Sequence, residues 1–125
     1  MNTIGYFEIQ SSNLLRDIDF YRKVFGWHFF KETDLPIQYY RIETNTINGG
    51  MLQRPAQLPS AGFGTNAFVC SVEVANFDTT AALILENGGQ VAMPKFAIPG
   101  RCYQGYFLDL DNNTFGIFEV NPNAH

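Results

Sequence analysis

The chain has 125 residues, of which 46% are hydrophobic, and its formal net charge is −4 at pH 7. This length suits one compact domain with a real core, and the hydrophobic fraction excludes a disordered chain. The acidic balance gives no electrostatic footprint for nucleic acid, and no apolar run approaches membrane-spanning length. The N-terminal residues lack the basic and apolar regions of a signal peptide, so we expect a cytoplasmic protein. Cys70 and Cys102 are expected to be free core thiols.

The first half of the chain predicts a strand, a helix and three further strands. Residues 4–10 alternate like a half-buried strand, and residues 11–13 supply helix-capping side chains. Apolar residues of the following helix recur at spacings of four, three and four and form one stripe: Leu14, Ile18, Tyr21 and Phe25. Gly26 is a natural helix end. The further strands are predicted at residues 27–31, 38–44 and 50–54.

The second half repeats this plan. A strand at residues 66–74 precedes a helix at residues 77–87, which Asn76 caps. The residues of this helix that are predicted to face inward are Phe77, Ala81, Ile84 and Leu85. Strands at residues 90–96, 102–108 and 114–120 complete the chain. The last two are predicted to form a hairpin around residues 109–113, because Asn and Asp tolerate left-handed backbone and bond their own main chain.

The same order of elements thus occurs twice: a strand, a helix cap, a helix, a glycine and a strand. Gly88 of the second copy corresponds to Gly26 of the first. The offset is about half the chain, which indicates a duplicated unit. The predicted fold is α+β, with two tandem βαβββ modules at approximately residues 1–54 and 66–125 of a single domain, residues 1–125. Residues 55–65, which contain proline and glycine without a helical period, form the predicted linker.

Motifs along nearly the whole chain resemble one known family. They lie at residues 6–9, 20–27, 48–51, 94–100 and 109–113. Their types and order resemble the small glyoxalase-like members of the vicinal-oxygen-chelate superfamily, which groups glyoxalase I, bleomycin-resistance proteins and extradiol dioxygenases. The resemblance implies curled mixed sheets that enclose a cavity, and it implies a homodimer.

In metal-using members of that superfamily, His or Glu side chains from four strands hold a divalent ion. The shared motifs place Tyr6 at the first-strand ligand position, Ala67 at the fifth and Gly116 at the eighth. These side chains are not ligands for such an ion at neutral pH. His28 and His125 are the only histidines. The resemblance therefore implies no metal site and no cofactor, with a divalent ion as the less favoured alternative.

Tyr6 and Glu8 are the candidate catalytic residues. They lie two apart on a predicted strand and so face the same side. If Tyr6 lines the cavity, as its family position implies, Glu8 does too, and a carboxylate beside a phenol in an apolar hollow can act as a base. In the alternative, which we favour, Glu8 accepts hydrogen bonds and stabilises the sheet.

Both residues are also candidates for ligand binding, together with further aromatic and cationic side chains. Rings that suit a planar or amphipathic molecule belong to Tyr39, Tyr40, Tyr103, Tyr106 and Phe118. The cationic candidates for an anionic ligand, with ordinary surface charge as the favoured alternative, are Arg41, Lys95 and Arg101. Glu119 has the opposite parity to Phe118, so it is predicted to face the helices or an interface.

Three classes of function stay open. The favoured one is a metal-independent protein that binds a small, partly aromatic molecule in the sheet cavity. The second is a lyase, isomerase or dioxygenase-type enzyme of the same superfamily, with altered metal ligands or with Glu8 as the base. The third is a protein-interaction domain whose cavity has collapsed.

Overall fold

The computed structural model describes residues 2–54 and 69–125. The chain divides into two compact units, Met1–Leu58 and Pro59–His125. The predicted linker at residues 55–65, the first part of the predicted strand at residues 66–74, and Ala67 lie outside the described residues.

Each unit is built from one helix and one four-stranded mixed sheet in its described part. The elements of the first unit are β1 (Phe7–Ser11), α1 (Leu14–Phe25), β2 (His28–Glu32), β3 (Tyr39–Glu43) and β4 (Gly49–Gln53). Those of the second unit are β5 (Ser71–Glu73), α2 (Phe77–Glu86), β6 (Gln90–Ile98), β7 (Cys102–Leu108) and β8 (Thr114–Val120).

The two sheets have the same topology, with orders β1-β4-β3-β2 and β5-β8-β7-β6. In each, the first pair of strands is parallel and the other pairs are antiparallel. The predicted α+β fold of two βαβββ modules is therefore confirmed. The first strand begins at Phe7 rather than at residue 4, because its ladder with β4 begins where Phe7 pairs with Gly49.

The sequence signals at both ends of α1 act as predicted. The Asn13 side chain accepts a hydrogen bond from the Arg16 N–H at 3.2 Å. Gly26 has a left-handed φ of 72°, and its N–H donates to the Arg22 carbonyl at 2.9 Å. The buried side of α1 packs on its own sheet, because Tyr21 stacks on Trp27, whose ring in turn contacts Phe7 of β1.

In α2 the predicted inward face is partly wrong. Phe77 and Ile84 are buried, whereas Leu85 is 50% exposed. Consecutive residues of a helix point about 100° apart, and the sheet covers the side of α2 that carries Ile84 but not the side that carries Leu85. The cysteine prediction is also partly wrong: both thiols are free, but Cys70 is exposed and Cys102 half-buried rather than in the core. Neither helix in the described residues has the length and apolar character needed to cross a membrane.

The turn between β7 and β8 is organised by the Asp109 carboxylate. Its Oδ1 accepts from the N–H groups of Asp111 and Asn113 at 2.8 and 2.9 Å, and its Oδ2 accepts from the Asn113 side-chain amide at 3.0 Å. Asn112 adopts a left-handed φ of 58°. The prediction that Asn and Asp side chains support this hairpin turn is confirmed.

We expect Asp109→Ala to lower the free energy of unfolding by about 2 to 4 kcal/mol. Asp109 is buried, so the donors that it satisfies lose partners that water replaces poorly. Urea denaturation followed by circular dichroism measures the change. Asp34→Ala, at an exposed loop position, is the matched control and should stay within about 0.5 kcal/mol of the parent protein. Equal stability of the two variants would contradict the role of the carboxylate.

Candidate functional site

The sheet of the first unit has one face toward α1 and one open face. Ile42 and Met51 are fully buried, and Ile42 shares its cross-strand row with Phe7 on the helix side. Side chains alternate along a strand, so the next row lies on the opposite face. That row runs across all four strands and contains Glu8, Gly50, Arg41 and Phe30.

On this open face, three side chains form a hydrogen-bonded group, which we call the tyrosine–glutamate cluster: Tyr6, Glu8 and Tyr39. The Tyr39 hydroxyl donates to Glu8 Oε2 at 2.8 Å, and the hydroxyl oxygens of Tyr6 and Tyr39 are 2.7 Å apart. Tyr6 precedes β1, Glu8 lies within β1, and Tyr39 begins β3. Thus the structure brings together the two residues predicted to share a side and adds one tyrosine of the candidate group.

Gly50 makes room for this cluster. A Cβ atom at residue 50 would lie 2.0 Å from the Tyr39 hydroxyl oxygen and 2.3 Å from its Cζ. The Tyr39 side chain therefore crosses the central strand β4 directly above Gly50 to reach Glu8 on β1. A glycine inside a strand often marks a close approach of this kind.

The surroundings of Tyr39 keep its hydroxyl protonated. Burial raises the pKa of Tyr39 above its ordinary value, and the hydrogen bonds to Tyr6 and Glu8 and the nearby carboxylate charge raise this pKa further. Tyr39 is thus a hydrogen-bond donor at neutral pH and not a phenolate base.

The two other ligand-binding candidates of the first unit, Tyr40 and Arg41, do not join the cluster. Tyr40 follows Tyr39 on β3 and pairs with the buried Met51, so it lies on the helix side. The Arg41 guanidinium shares the open face with the cluster, but two carboxylates hold it. Its nitrogens lie 2.9 Å from Glu32 Oε1 and 3.2 Å from Glu43 Oε1.

The candidates of the second unit lie on both faces of its sheet. Glu119 Oε1 accepts a hydrogen bond from the Phe77 N–H at 2.7 Å, which confirms that Glu119 faces the helix. Tyr103 is the register partner of Glu119 and lies on the same side, whereas Phe118 lies on the other. Lys95 Nζ lies 3.1 Å from Asp78 Oδ1 and 4.4 Å from the centre of the Tyr103 ring.

Arg101 is exposed in the turn before β7. The roles of Arg101, Lys95 and Tyr103 in ligand binding stay predictions.

In the second sheet, Gly116 corresponds to Gly50, because a hydrogen bond between side chains also passes over it. Gly116 on the central strand β8 pairs with Ser71 and Tyr106, as Gly50 pairs with Glu8 and Arg41. Gln104 Nε2 donates to Ser71 Oγ at 3.2 Å. A Cβ at residue 116 would lie 2.4 Å from Ser71 Oγ and 2.8 Å from Gln104 Nε2, so this bond also passes over a glycine.

Sequence reasoning did not identify the two partners of this second bridge. The one signal was the position of Gly116 inside a strand, which indicates a close approach but does not say by which residue. Gln104 is 8% exposed, and it reaches Ser71 because β7 and β5 flank β8.

A divalent ion does not fit the described residues at the positions that the family resemblance marks. The Tyr6 hydroxyl is bonded to Tyr39, and Gly116 has no side chain and no free space for one. Within residues 2–54 and 69–125, no group of three or more His, Cys, Asp or Glu side chains is arranged to hold a metal ion. Neutral phenols and glycine are poor ligands for such an ion.

Solved structures with this fold include proteins of diverse description. A glyoxalase/bleomycin resistance protein/dioxygenase family enzyme from Burkholderia phytofirmans PsJN is 20% identical, with a TM-score of 0.74 over 94% of this chain and 98% of that one. The fosfomycin resistance protein FosX from Listeria monocytogenes is 12% identical, with a TM-score of 0.77 over 97% and 93%. A glyoxalase-related enzyme from Fulvimarina pelagi is 16% identical, with a TM-score of 0.72 over 98% and 90%.

At these identities the likeness shows the fold alone. No protein of curated function matches the chain. Residues 3–117 match the sequence profile of the Glyoxalase/Bleomycin resistance protein/Dioxygenase superfamily, which spans both units. Together with the shared sheet topology, this match shows that the chain belongs to that superfamily.

Proposed function

We propose that this protein binds a small, partly aromatic molecule on the open face of its first sheet, without a metal ion. The observation that carries the proposal is the tyrosine–glutamate cluster, in which two phenols and a carboxylate are held together by hydrogen bonds of 2.7 and 2.8 Å. A group whose members fix one another loses little conformational entropy when a ligand binds.

The aromatic character of the ligand is argued from two exposed rings on the same face of the sheet as the Glu8 carboxylate. Tyr6 is 47% exposed and Phe30 is 43% exposed, and both lie on the open face. Rings of this kind present apolar area to a planar molecule, while a hydroxyl or carboxylate at the edge orients it. This combination of exposed rings and a fixed polar group supports a binding site for an amphipathic small molecule.

Independence from metal is argued from the two positions that the family resemblance marks. Tyr6 uses its hydroxyl within the cluster, and the space above Gly116 is taken by the Ser71–Gln104 bridge. A cation at either position would have to break an existing hydrogen bond and would gain a poor ligand. We expect elemental analysis of the purified protein to find no stoichiometric divalent ion, and we expect chelation to leave ligand binding unchanged.

A screen of aromatic compounds by thermal shift, followed by calorimetry, tests the proposal. We expect Glu8→Gln and Tyr39→Phe each to weaken binding of the best compound by about tenfold, the loss expected from one hydrogen bond to a charged group. Tyr40→Phe is the matched control for Tyr39→Phe, since Tyr40 is adjacent but lies on the helix side. Wild-type affinity in both cluster variants would contradict the proposed site.

An enzymatic role for Glu8 is the second candidate. It is favoured by the geometry of the bond from Tyr39, because that bond fixes the Glu8 carboxylate through Oε2 and leaves Oε1 outside it, where Oε1 can accept a proton from a substrate. A lyase or isomerase of this kind would lose turnover in Glu8→Gln while Glu8→Asp retained part of it. Equal turnover of Glu8→Gln and the parent protein would remove Glu8 as the base.

The proposal also includes a homodimer in the cytoplasm, as expected from the family resemblance and the sequence. Analytical ultracentrifugation tests the dimer. A protein-interaction domain is the outcome that remains if no small molecule binds at the cluster and a protein partner does.

A further inference from the structure

Both hydroxyl protons of the tyrosine–glutamate cluster are donated in hydrogen bonds within the cluster. A phenol has one proton to donate. Tyr39 donates its proton to Glu8 Oε2, and its raised pKa means that this proton is kept at neutral pH. The 2.7 Å bond between the two hydroxyls therefore needs its proton from Tyr6, so Tyr6 is the donor and Tyr39 the acceptor.

This directionality decides what the cluster offers to a ligand. The proton of Tyr6 points toward Tyr39, so Tyr6 presents the lone pairs of its oxygen outward. Glu8 presents Oε1, since its bond from Tyr39 uses Oε2. Among the described residues, no other side chain donates to Glu8 or Tyr6. The outward-facing atoms of the cluster are therefore hydrogen-bond acceptors, and one of them is charged.

Arg41, the cation in the same cross-strand row as Glu8, does not supply a positive charge to the cluster. Arg41 is two strands away from Glu8, and its guanidinium contacts the Glu32 and Glu43 carboxylates. Its charge is thus offset by two acidic groups rather than directed at the cluster. An anionic ligand group would meet hydrogen-bond acceptors and a like charge, and both are repulsive to it.

From this arrangement we infer that the ligand carries a positively charged hydrogen-bond donor, an ammonium or amidinium group, on an aromatic or apolar frame. The inference rests on the proposed function and names the chemical class of its ligand. The donor bonds Glu8 Oε1 and the Tyr6 oxygen as a charge-assisted pair. A cation beside the exposed Tyr6 ring also gains from the negative face of the ring.

Three aromatic probes of similar size and different charge test the inference: phenethylamine, phenethyl alcohol and phenylacetate. Affinities are measured by calorimetry and by NMR shifts of tyrosine ring signals near neutral pH. We expect the amine to bind at least about tenfold more tightly than the alcohol, and we expect no binding of phenylacetate. In Glu8→Gln this preference should fall below about threefold, whereas the exposed Glu86→Gln, the matched control, should keep it.

Tyr39→Phe supplies a second readout that a general loss of structure cannot mimic. Without the Tyr39 oxygen, Tyr6 loses the acceptor to which it donates in the parent protein, so its proton is no longer held by that bond and a ligand can accept it. The preference for the amine over the alcohol should therefore shrink in Tyr39→Phe and persist in Tyr40→Phe. Thermal unfolding of each variant confirms that it is folded.

The outcomes separate the inference from the proposed function. Preference for the alcohol or phenylacetate, with binding still sensitive to Glu8→Gln, overturns the inference and leaves the proposed function standing. An amine preference that is unchanged in Glu8→Gln also overturns the inference. Failure of all three probes overturns it too, and the aromatic screen then decides whether the proposed function fails with it.

Discussion

Gly50→Ala is expected to weaken ligand binding at the tyrosine–glutamate cluster by about tenfold or more. The added methyl group would lie 2.0 Å from the Tyr39 hydroxyl oxygen and 2.6 Å from Cε1 of the same ring, so the ring must leave its place above the strand. Its bond to Glu8 is then lost. Because the hydroxyl is at the far end of a side chain that can swing away, stability should fall by only about 1 to 3 kcal/mol. Calorimetry and urea denaturation measure the two effects.

Gly5→Ala is the control for adding a methyl group, because a Cβ at residue 5 meets nothing within 4 Å. A double-mutant cycle with Tyr39→Ala isolates the collision: once the ring is absent, Gly50→Ala should cost less than about 1 kcal/mol. A structure of Gly50→Ala that keeps the Tyr39–Glu8 hydrogen bond would contradict the explanation. So would additive stabilities in the cycle.

Asp17→Ala is expected to have the largest effect on stability, a loss of about 3 to 5 kcal/mol in the free energy of unfolding. Asp17 is 1% exposed, and its Oδ2 accepts a hydrogen bond from the fully buried hydroxyl of Ser11. Its Oδ1 accepts from Arg16 Nε at 2.8 Å. Without the carboxylate, the Ser11 hydroxyl loses a buried partner and the guanidinium loses its counter-charge. Chemical denaturation measures the loss.

Asp19→Ala on the same helix is the matched control. Its carboxylate is 53% exposed and lies 2.8 Å from Lys23 Nζ one turn away, so its removal should cost less than about 0.5 kcal/mol. Ser11→Ala should cost less in the Asp17→Ala background than in the parent protein, because the hydroxyl has then lost its acceptor Asp17 and keeps only the bond from the Asn13 N–H at 3.0 Å. Similar losses in Asp17→Ala and Asp19→Ala would show that burial of the pair contributes little.

Most of the fold was predictable because its signals are local. Asn13 and Gly26 mark the ends of α1 by their own backbone and side-chain chemistry, and the repeat of the whole pattern indicates the duplication. Leu85 is apolar and follows Ile84 directly, so the sequence alone does not separate the two residues. Only the width of the helix face that the sheet covers decides which of the two is buried, and that width is a property of the packed structure.

For the candidate site, the sequence predicted which residues of a single strand share a face, but not which residues of different strands meet. Parity alone placed Tyr6 with Glu8 and separated Glu119 from Phe118. Whether Tyr39 or Tyr40 joins the cluster depends on the register of β3 against β4, and a shift by one residue would exchange their faces. Register is set by pairing across the sheet, so a list of nearby tyrosines does not decide it.

The hydrogen bond between Gln104 and Ser71 above Gly116 limits how this position can evolve. A carboxylate introduced at residue 116 in one step would collide with the Ser71 hydroxyl and the Gln104 amide, so a lone Gly116→Glu substitution damages the sheet before it can serve as a ligand. Both Ser71 and Gln104 would have to make room first, and either change alone removes their hydrogen bond and supplies no ligand. The path toward cation-dependent chemistry at this position therefore begins with a loss, and selection on single substitutions acts against taking it.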